Sequence, residues 1–143
     1  MQARIDIEAE LPEAYEAMLA LGRAVVLDDR LRVLVKLRAS MINGCVYCID
    51  LYSREGLASG ESEQRLSELA AWEESPHFND RERAALALTD AITRIAGGQV
   101  PDALWAEACK YFDSAELARL IWAVTAINSW NRVAISTRIL PAA

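Results

Sequence analysis

Histidine is nearly missing from this chain, with one copy in 143 residues, and proline, glycine and cysteine are scarce at four, six and three. Zinc sites usually take four Cys or His ligands. Beside its one close cysteine pair the chain offers only Cys109 and His77. So few prolines among 53% hydrophobic residues argue against disorder and for a single helical domain over 1–143. No apolar run approaches the ~20 residues of a membrane helix. The longest candidate, Leu117 to Ile127, is interrupted by Arg119 and Thr125. The opening MQARIDIEAELPE has no basic segment followed by an apolar stretch, so it does not read as a secretion signal and the default expectation is cytoplasmic. Basic charge is also thin, 15 Lys and Arg against 21 Asp and Glu, for a net charge of −6. Without a concentrated basic stripe the chain is a poor nucleic-acid binder. The basic residues between Arg30 and Arg38 sit on an amphipathic pattern, where a solvated face or internal ion pairs is expected.

What is present is helical period almost throughout, without strand alternation, which predicts an all-α bundle of about six to seven helices. Pro12 opens a first helix into the Val25 region. Asp28 or Asp29 caps a second over Arg30 to Ile42, with Leu31, Leu34, Leu37, Met41 and Ile42 toward the core. Asn43-Gly44 punctuates the chain, and a third helix begins at or just before Cys45 and runs to about Ala58. A short fourth helix runs from Ser62-Glu63-Gln64 to near Trp72, followed by a loop over Glu74 to Phe78. Asn79 or Asp80 caps a fifth, with Ala85, Leu88, Ile92 and Ile95 inward, stopped by Gly97-Gly98. A sixth helix spans Pro101 to about Phe112, and a long last one runs from an Asp113 or Ser114 cap to about Leu140. Its stretch Leu120 to Ile127 is apolar almost all round, as expected of a helix central to the core or shared with another subunit.

The chemistry-bearing segment is Cys45-Val46-Tyr47-Cys48. Cysteines at i and i+3 on a first helical turn are near enough to form a disulfide. The free N–H groups and positive dipole end of that turn stabilise a thiolate. In such settings a cysteine pKa falls from about 8.5 into roughly the 3.5–7.5 range. One sulfur attacks an electrophilic oxygen or sulfur and its neighbour resolves the product into a disulfide. Zinc binding and two inert buried cysteines are the alternatives that spacing alone leaves open.

The stretch Leu34-Val35-Lys36-Leu37-Arg38-Ala39-Ser40, leading into Ile42-Asn43-Gly44-Cys45-Val46-Tyr47-Cys48-Ile49-Asp50, resembles the core of the alkylhydroperoxidase D and carboxymuconolactone decarboxylase superfamily. The similarity continues through Arg81-Glu82-Arg83-Ala84-Ala85-Leu86 and Ile127-Asn128-Ser129-Trp130-Asn131-Arg132, covering roughly 28 to 138. The resemblance implies an alkylhydroperoxidase-like fold, assembly into homo-oligomers such as trimers or hexamers, and reduction of an organic hydroperoxide by the cysteine pair. It implies no cofactor. A thiol reductant of the dihydrolipoamide or thioredoxin kind regenerates the pair. By the same resemblance Cys48 matches the peroxidatic cysteine and Cys45 the resolving one.

Two positions depart from the family's relay. A histidine four residues after the second cysteine is replaced by Tyr52, and a glutamate twelve residues before the first by Val33. Tyr52, at i+4 from Cys48, lies on the same helix face and can donate a hydrogen bond, but a tyrosine is a poor base at neutral pH. A positioned acid–base group is worth about 10²–10⁴ in rate, so its loss weakens activity without abolishing it. Asp90 is the relocated carboxylate to test, against a solvent-facing or capping role, with Glu82 behind it. His77 reads as an exposed loop histidine and Cys109 as a core filler, while Trp130 and Asn131 line either a site or a subunit contact. Beside the reductase stand two other readings: a decarboxylase-like enzyme of the same fold, indifferent to the cysteines, and a non-enzymatic redox-sensing or partner-binding oligomer.

Overall fold

The computed structural model describes residues 1–143, and it is all-helical with eight α-helices and no strand. Its centre is α3, Asp29–Asn43, which packs against α4, Val46–Ala58, α6, Asp80–Thr93, and α8, Ser114–Thr137. The apolar positions of α3 divide between two cores. Leu34 and Leu37 face a cluster with Cys45, Cys48, Tyr52, Trp72 and Ile127. Leu31 and Val35 face a second cluster with Ala85, Leu88, Phe112, Leu120 and Val124. Burying a leucine side chain contributes roughly 1.5–3 kcal/mol, so a helix buried on two sides is held by far more than its own propensity.

The helix starts follow the expected caps. Asp28 accepts from the Leu31 N–H, and Asn79 and Asp113 each build a capping box, with Glu82 and Glu116 respectively. Gly44 closes α3 at φ +71°, a left-handed turn that favours glycine. At Gly56 the crossing of α3 and α4 is so close that a Cβ would stand 3.0 Å from Val33 Cγ1.

Several expectations are corrected at the ends of elements. A one-turn helix, α1, Ile7–Glu10, precedes α2, Pro12–Ala24; it is too short to carry a period. The fourth predicted helix is α5, Glu63–Glu68, which tightens into a 3₁₀ turn at Leu69–Ala71 before Trp72. Ile95 lies beyond α6 in another 3₁₀ turn and is exposed rather than core. α7 is confined to Asp102–Ala108, and α8 stops at Thr137 because Arg138 turns left-handed at φ +61°. Met41 and Ile42 are half-buried, and in the apolar stretch of α8 Trp122 points outward. No helix is long and apolar enough to cross a membrane.

The basic run on α3 is resolved largely into ion pairs: Arg30 with Glu61, Arg32 with Glu55 and Asp29, and Arg38 with Asp90. α2 has no buried residue. Its half-buried stripe, Tyr15, Met18 and Leu19, rests on α8, where Tyr15 meets Trp130 edge-on with ring centres 5.3 Å apart.

Candidate active site

Cys45 is the N-cap of α4, the role that its place after the Asn43-Gly44 turn predicts. Its sulfur accepts from the Cys48 N–H at 3.4 Å, and its own N–H donates to the Ser40 carbonyl, so the turn is tied at both sides. One helical turn on, the Cys48 sulfur lies 2.7 Å from that of Cys45. Both are free thiols and both are buried, at 1% and 3% exposure.

Thiols this close are coupled, and their protons come off in steps that belong to the pair. The Cys45 thiol is pulled down to about 6, chiefly by the hydrogen bond from the Cys48 thiol and, against the cost of burial, by the Cys48 N–H and the Asn131 amide. Cys48 is pushed up by donating its hydrogen bond to Cys45 and by burial. The pair therefore carries one negative charge near neutral pH and resists taking a second.

Access is divided the other way. Cys48, not Cys45, lines a cavity of about 220 Å³ whose ten lining residues are all apolar or aromatic. α2 supplies Tyr15, α4 supplies Tyr47, Cys48 and Tyr52, and α8 supplies Trp130. The cavity admits a small apolar molecule and has no cationic side chain in its wall with which to hold an acid.

Tyr52 is brought to this cavity as its i+4 spacing predicts, and burial, the largest cause, raises its phenol to about 12. It is therefore a donor, not a base. Lys36 sits over its ring, 5.5 Å from the centre. Val33 is 1% exposed and packed against Gly56, so apolar packing occupies the position of the relay glutamate.

Asp90 lies elsewhere. Its two oxygens accept from Arg38 Nε at 2.8 Å and Nη2 at 2.9 Å, and the second also accepts from Trp72 Nε1 at 3.2 Å. It lines a separate hollow with Arg94, not the cysteine cavity. Glu82 is likewise committed, to its capping box and to Arg65. His77 is on an exposed loop and bonds Glu68 at 2.7 Å. Cys109 is not a core filler. α7 turns Leu104 and Ala108 inward and Phe112 follows in the turn beyond it, which leaves Cys109 exposed. No group of three or more Cys, His, Asp and Glu side chains converges anywhere.

Asn131, which the sequence offered as lining either a site or a subunit contact, is buried here, in a polar set whose other members the sequence did not join to it. Ser40 on α3 and Asn131 on α8 are both fully buried, and Asn131 Nδ2 donates to Ser40 Oγ at 3.0 Å. Asn43 Nδ2 donates at 2.9 Å to the side-chain oxygens of both Asn128 and Asn131. The available signal was the Asn128/Asn131 spacing of three on the last helix, which puts two amides on one face.

A family model described as the carboxymuconolactone decarboxylase family matches residues 12–91. The Bacillus subtilis (strain 168) uncharacterized protein YdfG is 33% identical over 139 residues, covering 95% of each chain. A crystal structure of an Agrobacterium tumefaciens protein of unknown function, provisionally assigned to antioxidant defence as AhpD, matches with TM-score 0.96 at 37% identity and 99% coverage of both chains. An uncharacterized peroxidase-related protein from Silicibacter sp. TM1040 shares the fold, with TM-score 0.80 at 22% identity over 92% of this chain and 72% of that one.

Proposed function

The chain belongs to the carboxymuconolactone decarboxylase family, and on that premise we propose that it is a thiol-dependent organic hydroperoxide reductase in which Cys48 attacks and Cys45 resolves. The observation that carries this reading is the pair itself: two reduced sulfurs 2.7 Å apart, one of them in the wall of an apolar cavity. A carboxylate-bearing lactone would lose its hydration there against no compensating cation, which argues against decarboxylase chemistry.

The division of charge and access gives the sulfurs separate tasks. A hydroperoxide ROOH lies against Cys48. As Cys48 sulfur bonds to the terminal oxygen, its proton crosses to the Cys45 thiolate and the O–O bond breaks, leaving Cys48 sulfenic acid and RO⁻. The Cys45 thiol returns that proton to RO⁻, releasing ROH. Cys45 thiolate then attacks the Cys48 sulfur, forming the disulfide and expelling hydroxide. Two thiol sulfurs are oxidised by two electrons in total and one peroxide is reduced to alcohol and water. In this scheme Cys45 is the base that the missing imidazole and carboxylate would have been. A dihydrolipoamide-like or thioredoxin-like thiol then restores the dithiol. With this reading goes assembly of copies into a homo-oligomer, a trimer or hexamer.

The test is to mix pre-reduced, oxygen-free protein with one equivalent of an organic hydroperoxide. The expected result is loss of two thiols per alcohol formed and a Cys45–Cys48 disulfide in the peptide map. Thiol loss no faster than that of a free small thiol sinks the reductase reading and leaves a redox-sensing or partner-binding protein.

A further inference from the structure

The cavity beside Cys48 has a neighbour. A second hollow, of about 470 Å³, lies under the N-terminal segment, where Arg4, Ile5, Asp6 and Glu8 line it together with Leu140. Tyr15 and Ile139 stand in the walls of both spaces, so they form the partition between them. Each is carried there by its own local device. Arg138 turns left-handed at the end of α8, and the chain doubles back so that the Ile139 N–H donates to the Ala134 carbonyl at 3.0 Å. Tyr15 projects from α2, and its ring stands edge-on against Trp130. The two halves of the partition are held differently. Ile139 packs against the core that contains both cysteines, whereas α2 has no buried residue, so the Tyr15 ring can be shortened without opening the core.

Pockets for drug-sized ligands run to about 300–1,000 Å³. The Cys48 cavity, at about 220 Å³, falls below that range and has room for a compact branched or single-ring body. An extended alkyl chain has to pass the partition into the outer hollow. That hollow carries two carboxylates, Asp6 and Glu8, against one guanidinium, and Arg4 already bonds the Ser136 carbonyl at 3.1 Å. It therefore offers an anionic tail no free cation. We propose that Tyr15 is the specificity-determining residue of the site: its ring closes the far end of the Cys48 cavity, so that compact, uncharged hydroperoxides reach the sulfur and long-chain ones do not. The choice of hydroperoxide as substrate rests on the reductase reading, but the partition itself is sensed by any thiol reagent.

The test compares how fast methyl and octyl methanethiosulfonate consume the thiols of the full chain, each rate divided by that of a free small thiol. Cys109 is exposed, so every protein carries Cys109→Ser and only the pair reports. With Tyr15 intact, the methyl reagent is expected to be favoured by about tenfold or more, the scale of a hydrophobic misfit. Tyr15→Ala joins the two spaces and is expected to abolish most of that preference, while Tyr15→Phe, which keeps the ring, retains it. Leu19→Ala is the control for a loosened α2: Leu19 lines the inner cavity but not the outer hollow, so discrimination is expected to survive. Circular dichroism accompanies each variant, and Tyr15→Leu replaces the alanine variant if that one fails to fold. Equal reaction with both reagents when Tyr15 is present, or a loss in Leu19→Ala as complete as in Tyr15→Ala, overturns the inference. The same ordering is expected for tert-butyl over dodecyl hydroperoxide, and equal turnover of the two also overturns it. Discrimination among the methanethiosulfonates with no reaction of either hydroperoxide would sink the reductase reading and leave the partition standing.

Discussion

Two buried polar regions flank α3, and they differ in what their groups have left to give. Around Arg38 and Asp90, two full charges are buried against each other, and both carboxylate oxygens are already bonded. The guanidinium bonds both carboxylate oxygens and the Ala70 carbonyl, and Trp72 donates to the same carboxylate. Around Cys45 and Cys48 the polar groups are neutral amides and thiols, one charge is shared between two sulfurs, and an apolar cavity opens on one of them. A buried ion pair with no spare valence is architecture. Two buried, coupled thiols with an all-apolar cavity opening on one of them are a place where chemistry can occur. Burial of charge alone would have picked the wrong region.

The sharpest way to break this contrast is to remove one sulfur. Cys48→Ser is expected to reduce hydroperoxide-driven thiol loss to the background rate of a small thiol, followed by titration of free thiols, while the helical content stays unchanged. A variant that still consumes peroxide at the wild-type rate would mean that the cavity-facing sulfur is not the nucleophile.

Next comes the opposite region. Asp90→Ala leaves the Arg38 guanidinium buried without its partner and is expected to cost about 3–5 kcal/mol in denaturant unfolding. The thiol ionisation midpoint should not move. A stable Asp90→Ala protein with impaired thiol ionisation would join the two regions and restore Asp90 as a relay.

A third test follows from proton linkage. Between about 6 and 9 the unfolded chain keeps both cysteine protons while the folded pair has lost one, so stability rises with pH. Above about 9 the unfolded thiols ionise while Cys48 holds its proton, so stability falls again. Urea midpoints of the reduced protein should therefore pass through a maximum near pH 9 that is absent from the Cys45→Ser, Cys48→Ser double variant. A flat profile for the reduced wild type would contradict the coupled-pair account.

The smallest effect is reserved for Tyr52→Phe. Because its phenol is raised to about 12, it acts only as a donor, and losing one hydrogen bond of about 1 kcal/mol slows peroxide reduction about fivefold without altering its pH profile. A change in the shape of that profile would show that Tyr52 moves a proton.

Much of this was legible in the sequence where local rules dominate. The period of α3, the caps at Asp28, Asn79 and Asp113, and the Asn43-Gly44 turn that sets Cys45 at a helix start all depend on neighbours a few residues away. Cys109 was misplaced because a short helix offers too few turns to fix which stripe faces inward. The amide chain was invisible for a different reason. Asn43 and Asn131 are 88 residues apart and meet only through the packing of α3 on α8, which no local period encodes. Asp90 drew attention as a relocated carboxylate one helix along, yet its partner Arg38, 52 residues away, holds both of its oxygens.

The account rests on Cys48 taking the peroxide oxygen while Cys45 acts as its base. The most direct test treats reduced Cys45→Ser and Cys48→Ser proteins with one equivalent of organic hydroperoxide in the presence of dimedone, then maps the adduct by mass spectrometry. The account predicts a sulfenic-acid adduct on Cys48 in the Cys45→Ser protein, formed more slowly than wild-type disulfide, and none on Cys45 in the Cys48→Ser protein. A rapid adduct on Cys45 with Cys48 absent would contradict it, and would make the more acidic sulfur the nucleophile.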